Sequence, residues 1–68
     1  MAKTSALGAR LKALRLKKKM TQRDLAYFAD LEHANISRYE AGKKMPTLVT
    51  LDRLAKALGT TPSKLLAA

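Results

Sequence analysis

The chain has 68 residues, a length that holds one small domain and leaves too little for two. Hydrophobic residues make up 47% of it, aromatic residues 4% and charged residues 28%, a balance that suits a packed core and excludes an unstructured polyelectrolyte. Fourteen Lys and Arg against five Asp and Glu leave a formal charge of +9, so the expected partner is a polyanion or an anionic surface. The chain has no cysteine, which removes disulfides, thiolate metal sites and thiol nucleophiles together and fits a reducing, cytoplasmic setting.

Other classes fall away on motif grounds. The longest apolar run, Leu25 to Ala29, is far short of the roughly 20 residues that cross a bilayer, so no membrane partner is expected. The basic stretch from Lys3 to Lys19 is not followed by a secretory h-region or a small-residue cleavage pattern, and it serves better as a core helix. One histidine and five scattered acids make no metal-ligand cluster and no nucleophile with its base, and there is no Gly-x-Gly or Walker-type loop. The chain is therefore expected to be no enzyme, with no metal, no cofactor and no small-molecule substrate.

In chain order, the first predicted helix runs from about Ser5 to Lys18, with Leu7, Leu11 and Leu14 stacked on one face. Thr21 supplies an N-cap hydroxyl with Asp24 three residues on, a variant of the capping box, so a second helix starts at Gln22. It is short, because Asp30 is one of the few non-glycine types that accept a left-handed turn. A third helix spans about 32–41 and ends at Gly42, with Lys43 and Lys44 beside the negative end of its dipole. Pro46 and Thr47 reset the chain for a fourth helix whose stripe is Leu48, Leu51, Leu54, Ala55 and Leu58, closed by Gly59. Thr61 and Pro62 open a last turn or two carrying Leu65 and Leu66. The remaining leucines and methionines read as core, as do Phe28 and Tyr39. With a single Val, a single Ile and no alternating segment, the fold class is all-α with five helices.

The third helix carries the chemistry. At about 100° per residue, Ile36 and Tyr39 fall on one side, and His33, Ala34, Ser37 and Arg38 on the other. That second face has the residue types that read base edges in a major groove. Arg38 offers a bidentate fork to guanine O6 and N7, His33 a donor to N7 or a phosphate, and Ala34 a surface for a thymine methyl. Without a wider pattern the same residues read simply as solvated. Asn35, on the flank, is a candidate for an adenine or the backbone. Gln22 opens the second helix where free N–H groups favour an anion, and Lys43 and Lys44 can hold phosphates from the other side. The run Lys17 to Lys19 reads as a solvated face that steers long-range encounter.

These motifs resemble the phage-repressor-like helix-turn-helix family, which includes the lambda repressor, Cro and regulators of the xenobiotic-response-element type. The resemblance covers Leu7 to Leu66. It rests on Met20-Thr21-Gln22, Leu25-Ala26, Ile36-Ser37-Arg38-Tyr39-Glu40 with Gly42, and Pro46-Thr47-Leu48 leading to Leu54-Ala55-Lys56-Ala57-Leu58-Gly59. It implies one five-helix domain over 1–68, a helix-turn-helix made by the second and third helices, and binding of operator double-stranded DNA as a dimer. It further implies Gln22 clamping a phosphate and an ion pair between Arg15 and Glu40 that ties the first helix to the end of the third. Two positions depart from the pattern: Asp30 stands where the family usually has glycine, and Glu32-His33 where Ser-Gln or Thr-Gln is common. The first base contact therefore does not transfer from relatives.

The expected function is a transcriptional regulator, most simply a repressor that occludes a promoter, cytoplasmic and associated with the nucleoid when bound. A homodimer through Leu65 and Leu66 would set half-sites about 34 Å apart. The circuit stays open among phage repressors, antitoxins and restriction-modification controllers, and an effector domain is not expected in these residues. Two other readings stand beside it. A protein-interaction module of the same fold, antitoxin or coactivator in type, would bind DNA without preference. An amphipathic first helix on anionic membranes would need Leu7, Leu11 and Leu14 to face lipid instead of core.

Overall fold

The structure, a computed structural model, describes residues 3–66 and the side chains of 6–66; the two outermost positions at each end of the expected 1–68 domain lie outside the described residues. Five helices follow one another, α1 (Lys3–Lys17), α2 (Gln22–Ala29), α3 (His33–Glu40), α4 (Leu48–Ala57) and α5 (Pro62–Leu66), and there is no strand among the described residues. The predicted order and number hold, with ends displaced by a residue or two.

The starts of α2, α4 and α5 are set by side-chain oxygens, whereas Glu32 before α3 makes no side-chain cap. Thr21 Oγ1 accepts from the Asp24 amide at 3.0 Å while Asp24 Oδ2 accepts from the Thr21 amide at 2.9 Å, a complete reciprocal box at the head of α2. Thr47 caps α4 through the Thr50 amide at 3.2 Å, and Thr61 caps α5 through the Lys64 amide at 3.3 Å. The ends of α1, α2, α3 and α4 share one device. Lys19, Asp30, Gly42 and Gly59 all have positive φ, 58°, 57°, 73° and 70°. Behind each, the next amide reaches back to close the last turn: Met20 to the Arg15 carbonyl, Leu31 to Ala26, Lys43 to Arg38 and Thr60 to Ala55. Asp30 takes the left-handed turn predicted for it, and Lys19 takes one that its residue type does not announce.

The core is built from Leu7, Leu11, Leu25, Ala26, Ala29, Ile36, Tyr39, Leu51, Leu54, Ala55, Leu58 and Leu65, with Leu14, Met20, Leu31 and Ala57 packed partly buried against it. The leucine face of α1 is thus spent on the core, which removes the membrane reading, and no helix among the described residues is long and apolar enough to cross a bilayer. Gly8 marks a close approach of α1 to α3. A Cβ built there would stand 2.5 Å from the Tyr39 carbonyl oxygen and 2.6 Å from that of Glu40, so α1 lies directly against the backbone at the end of α3.

Several predicted core positions lie outside it. Phe28 is 62% exposed, because α2 buries only Leu25, Ala26 and Ala29. Two of those three are alanines that bring the helix backbone close to its neighbours, and Phe28 lies off that narrow face. Its ring instead meets that of exposed Tyr27 edge-on, with centroids 5.3 Å apart. Leu48 is 79% exposed although its angle on α4 matches the stripe. It is the first residue of the helix and stands beyond the height at which the core packs, where Pro46 is buried in its stead. Leu16 points away from the α1 stripe and Met45 sits in the loop before α4, and both are exposed. Leu65 is fully buried, so it cannot form a dimer surface; Leu66, 47% exposed, is what remains of that pair. Arg10 Nη1 donates to the Leu65 carbonyl at 3.0 Å, docking α5 on α1.

Candidate nucleic-acid interface

Helix α3 turns Ile36 and Tyr39 inward, and His33, Ala34, Ser37 and Arg38 are all exposed. Asn35 is half-buried on the flank. The wheel drawn from the sequence is therefore the face the fold presents. Among the described residues, the side chains of His33, Ser37 and Arg38 make no hydrogen bond within the protein, so their donors and acceptors are free for a ligand. Exposed Lys43 and Lys44 follow the Gly42 closure at the end of α3.

The N-terminus of α2 lies beside the C-terminal end of α3. Gln22 Nε2 donates to Glu40 Oε1 at 3.2 Å across that junction. Glu40 is held in turn by Arg15 of α1, whose Nε donates to Oε2 at 2.6 Å and whose Nη2 donates to Oε1 at 2.9 Å. Arg15 Nη1 also donates to the Met20 carbonyl at 2.8 Å. The side chains of Arg15 and Glu40 are 9% and 4% exposed, so the pair expected from the resemblance is a buried, bidentate one. The hydrogen bonds that Arg15 donates to Glu40, more than the Glu40 charge, raise the Arg15 pKa above its ordinary value against the opposing effect of burial. One guanidinium thereby joins the end of α1, the approach to α2 and the end of α3.

Because the box satisfies the Thr21 and Asp24 amides, the N–H groups of Gln22 and Arg23 remain at the head of α2 without an acceptor inside the helix. Arg23 is exposed there, a cation in the first turn where the helix dipole disfavours one. Sequence reasoning passed over it; a basic residue placed against the dipole was the available signal. At the other end of the α2–α3 unit, Arg53 Nη1 of α4 donates to the Asp30 carbonyl at 3.4 Å, across the turn. No group of three His, Asp or Glu lies together among the described residues.

A family model described as a helix-turn-helix domain matches residues 6–68. The HTH-type transcriptional repressor RghR of Bacillus subtilis is 41% identical over 54 residues, 78% of this chain and 40% of that protein. The control protein C.BamHI of Bacillus amyloliquefaciens is 37% identical over 60 residues, 87% of this chain and 74% of that one. In three dimensions the chain resembles the restriction-modification controller protein C.AhdI of Aeromonas hydrophila, with a TM-score of 0.91 and 32% identity over 96% of this chain and 98% of that one. The chain spans well under half the length of RghR. The chain belongs to the phage-repressor-like helix-turn-helix family of DNA-binding transcription regulators, which are not enzymes.

Proposed function

We propose that the domain regulates transcription by reading a specific operator in double-stranded DNA, with α3 in the major groove. The observation that carries this reading is the exposed, internally unbonded face of His33, Ala34, Ser37 and Arg38 on a helix whose other side is locked into the core. In this reading Arg38 forks onto a guanine, Ser37 and His33 contact base edges, and Ala34 packs on a thymine methyl. Gln22, Asn35, Lys43 and Lys44 hold phosphates, with the free amides at the head of α2 and Arg23 added to that set.

The domain acts as a two-fold dimer on a pseudo-palindrome with half-sites about 34 Å apart, and it represses by covering a promoter in the cytoplasm. Leu66 is the member of the C-terminal pair available to a partner subunit. The likeness to a repressor and to restriction-modification control proteins supports regulation of this kind.

Selection from random duplex DNA at about physiological salt, where non-specific binding is suppressed, tests the reading. A recovered consensus with inverted symmetry is the expected result. Exposed Tyr27, Phe28, Leu48 and Val49 favour a second reading, a protein-interaction module of the same fold. Under it the selection yields no consensus, and binding simply tracks salt.

A further inference from the structure

The contact between Gln22 and Glu40 gives the buried ion pair a role beyond holding helices together. We propose that Glu40, fixed by Arg15, is a positioning residue that presents the Gln22 amide to a DNA phosphate; the inference rests on reading Gln22 as a phosphate contact. A glutamine amide nitrogen carries two hydrogens. One is directed at Glu40 Oε1 at 3.2 Å, which stops the rotation of the side chain and leaves the other hydrogen for an external acceptor. A glutamine free to rotate must be immobilised when it binds, and that entropy is subtracted from affinity; here Glu40 does the immobilising beforehand.

A carboxylate so near a phosphate would ordinarily repel it. Arg15 removes that objection, because both carboxylate oxygens accept from its guanidinium, at 2.6 Å and 2.9 Å, and the pair is neutral as a unit. The Arg15 side chain, 9% exposed and engaged with Glu40 and the Met20 carbonyl, is not itself presented to the phosphate. The order of action is therefore Arg15 on Glu40, Glu40 on Gln22, and Gln22 on the DNA.

A double-mutant cycle separates positioning from plain structural support. The pair replacement Arg15→Met with Glu40→Met keeps the volume apolar and the net charge unchanged, and such swaps of buried pairs tend to preserve folding. Dissociation constants for a fixed duplex of about 20 base pairs are measured at one salt concentration for the wild type, Gln22→Ala, the Met pair and all three changes together. The Met pair is expected to weaken binding about fivefold when Gln22 is present and less than twofold in the Gln22→Ala background. The salt slope stays the same throughout, since no charge is gained or lost in sum.

Equal losses in the two backgrounds would overturn the positioning role while the phosphate reading stands. If Gln22→Ala alone leaves affinity unchanged, the phosphate reading and the inference fall together. Arg15→Met with Glu40→Gln is the second variant, for the case in which the Met pair does not fold. It keeps an acceptor for the Gln22 amide but loses the guanidinium that fixes it, and should bind more weakly than wild type by less than about fivefold. A loss of about fivefold or more in that variant, with folding confirmed by circular dichroism, would also overturn the proposal.

Discussion

Replacing Gly8 by alanine sets two local effects against each other. Alanine is the best helix former and glycine among the poorest, so propensity alone makes Gly8→Ala stabilising by about 1 kcal/mol. The fold opposes it. The new methyl would meet the Tyr39 and Glu40 carbonyl oxygens at 2.5 Å and 2.6 Å, and these are backbone atoms that no rotamer change can withdraw. Relief requires α1 and α3 to separate by several tenths of an ångström, an overpacking that typically costs about 1–3 kcal/mol or more in a filled core. A net loss of about 1–2 kcal/mol is expected from these opposing effects. For a chain this short each kcal/mol is worth about 4–8 °C in midpoint, so thermal unfolding followed by circular dichroism should register a clear drop. Ala13→Gly, at an exposed site on the same helix, is the control and should lose about 1 kcal/mol from propensity alone. A Gly8→Ala protein as stable as wild type, or more so, would refute the backbone-to-backbone contact.

Other outcomes follow from the same physics. Lys19→Gly should raise the unfolding midpoint, because a left-handed lysine at the end of α1 carries a strain of about 1 kcal/mol that glycine does not, and a lower midpoint would mean that the Lys19 side chain does more for the fold than its backbone costs. Arg38→Ala should relax preference at one base position at about 1–3 kcal/mol, whereas Lys44→Ala should weaken all duplexes alike; equal losses for Arg38→Ala on selected and random DNA would deny it a base contact. Arg15→Met alone should cost about 3–5 kcal/mol by stranding buried Glu40, far more than the Met pair, and similar losses in urea unfolding would contradict burial of the pair. A group whose pKa is raised on folding contributes fully below its unfolded value and loses that contribution only above it. Arginine is therefore charged across the whole assay range, and the stability gap between wild type and the Met pair should not shrink between about pH 7 and pH 10.

Much of this fold is legible in the chain because its signals are local. Thr21 with Asp24, Thr47, Pro62, Gly42 and Gly59 each act within one helical turn, and the boundaries that they set lie within a residue or two of where these residues put them. The face of α3 is legible for a related reason: eight residues with Ile36 and Tyr39 on one side leave little choice about which side turns outward. What failed was axial height and depth. A wheel assigns Leu48 the right angle but says nothing of where α4 begins relative to the core, and it does not tell a buried Leu65 from an exposed Leu66. Phe28 was misjudged because the alanines that draw α2 close to its neighbours leave no place for a large ring. Gly8 and the Gln22 to Glu40 contact join residues 18 or more positions apart, and no local signal announces either.

The division of labour on α3 has a consequence for how such a domain diverges. The side chains that hold the helix, Ile36, Tyr39 and Glu40, are separate from His33, Ala34, Ser37 and Arg38, whose exposed positions contribute little to folding. Substitutions at exposed positions of this kind usually move stability by no more than about 0.5 kcal/mol. The outward residues can therefore be exchanged in combination at almost constant thermal stability. A library randomised at those positions should emerge almost wholly folded, and under the proposed reading of this face a lineage can acquire a new target sequence through folded intermediates at every step.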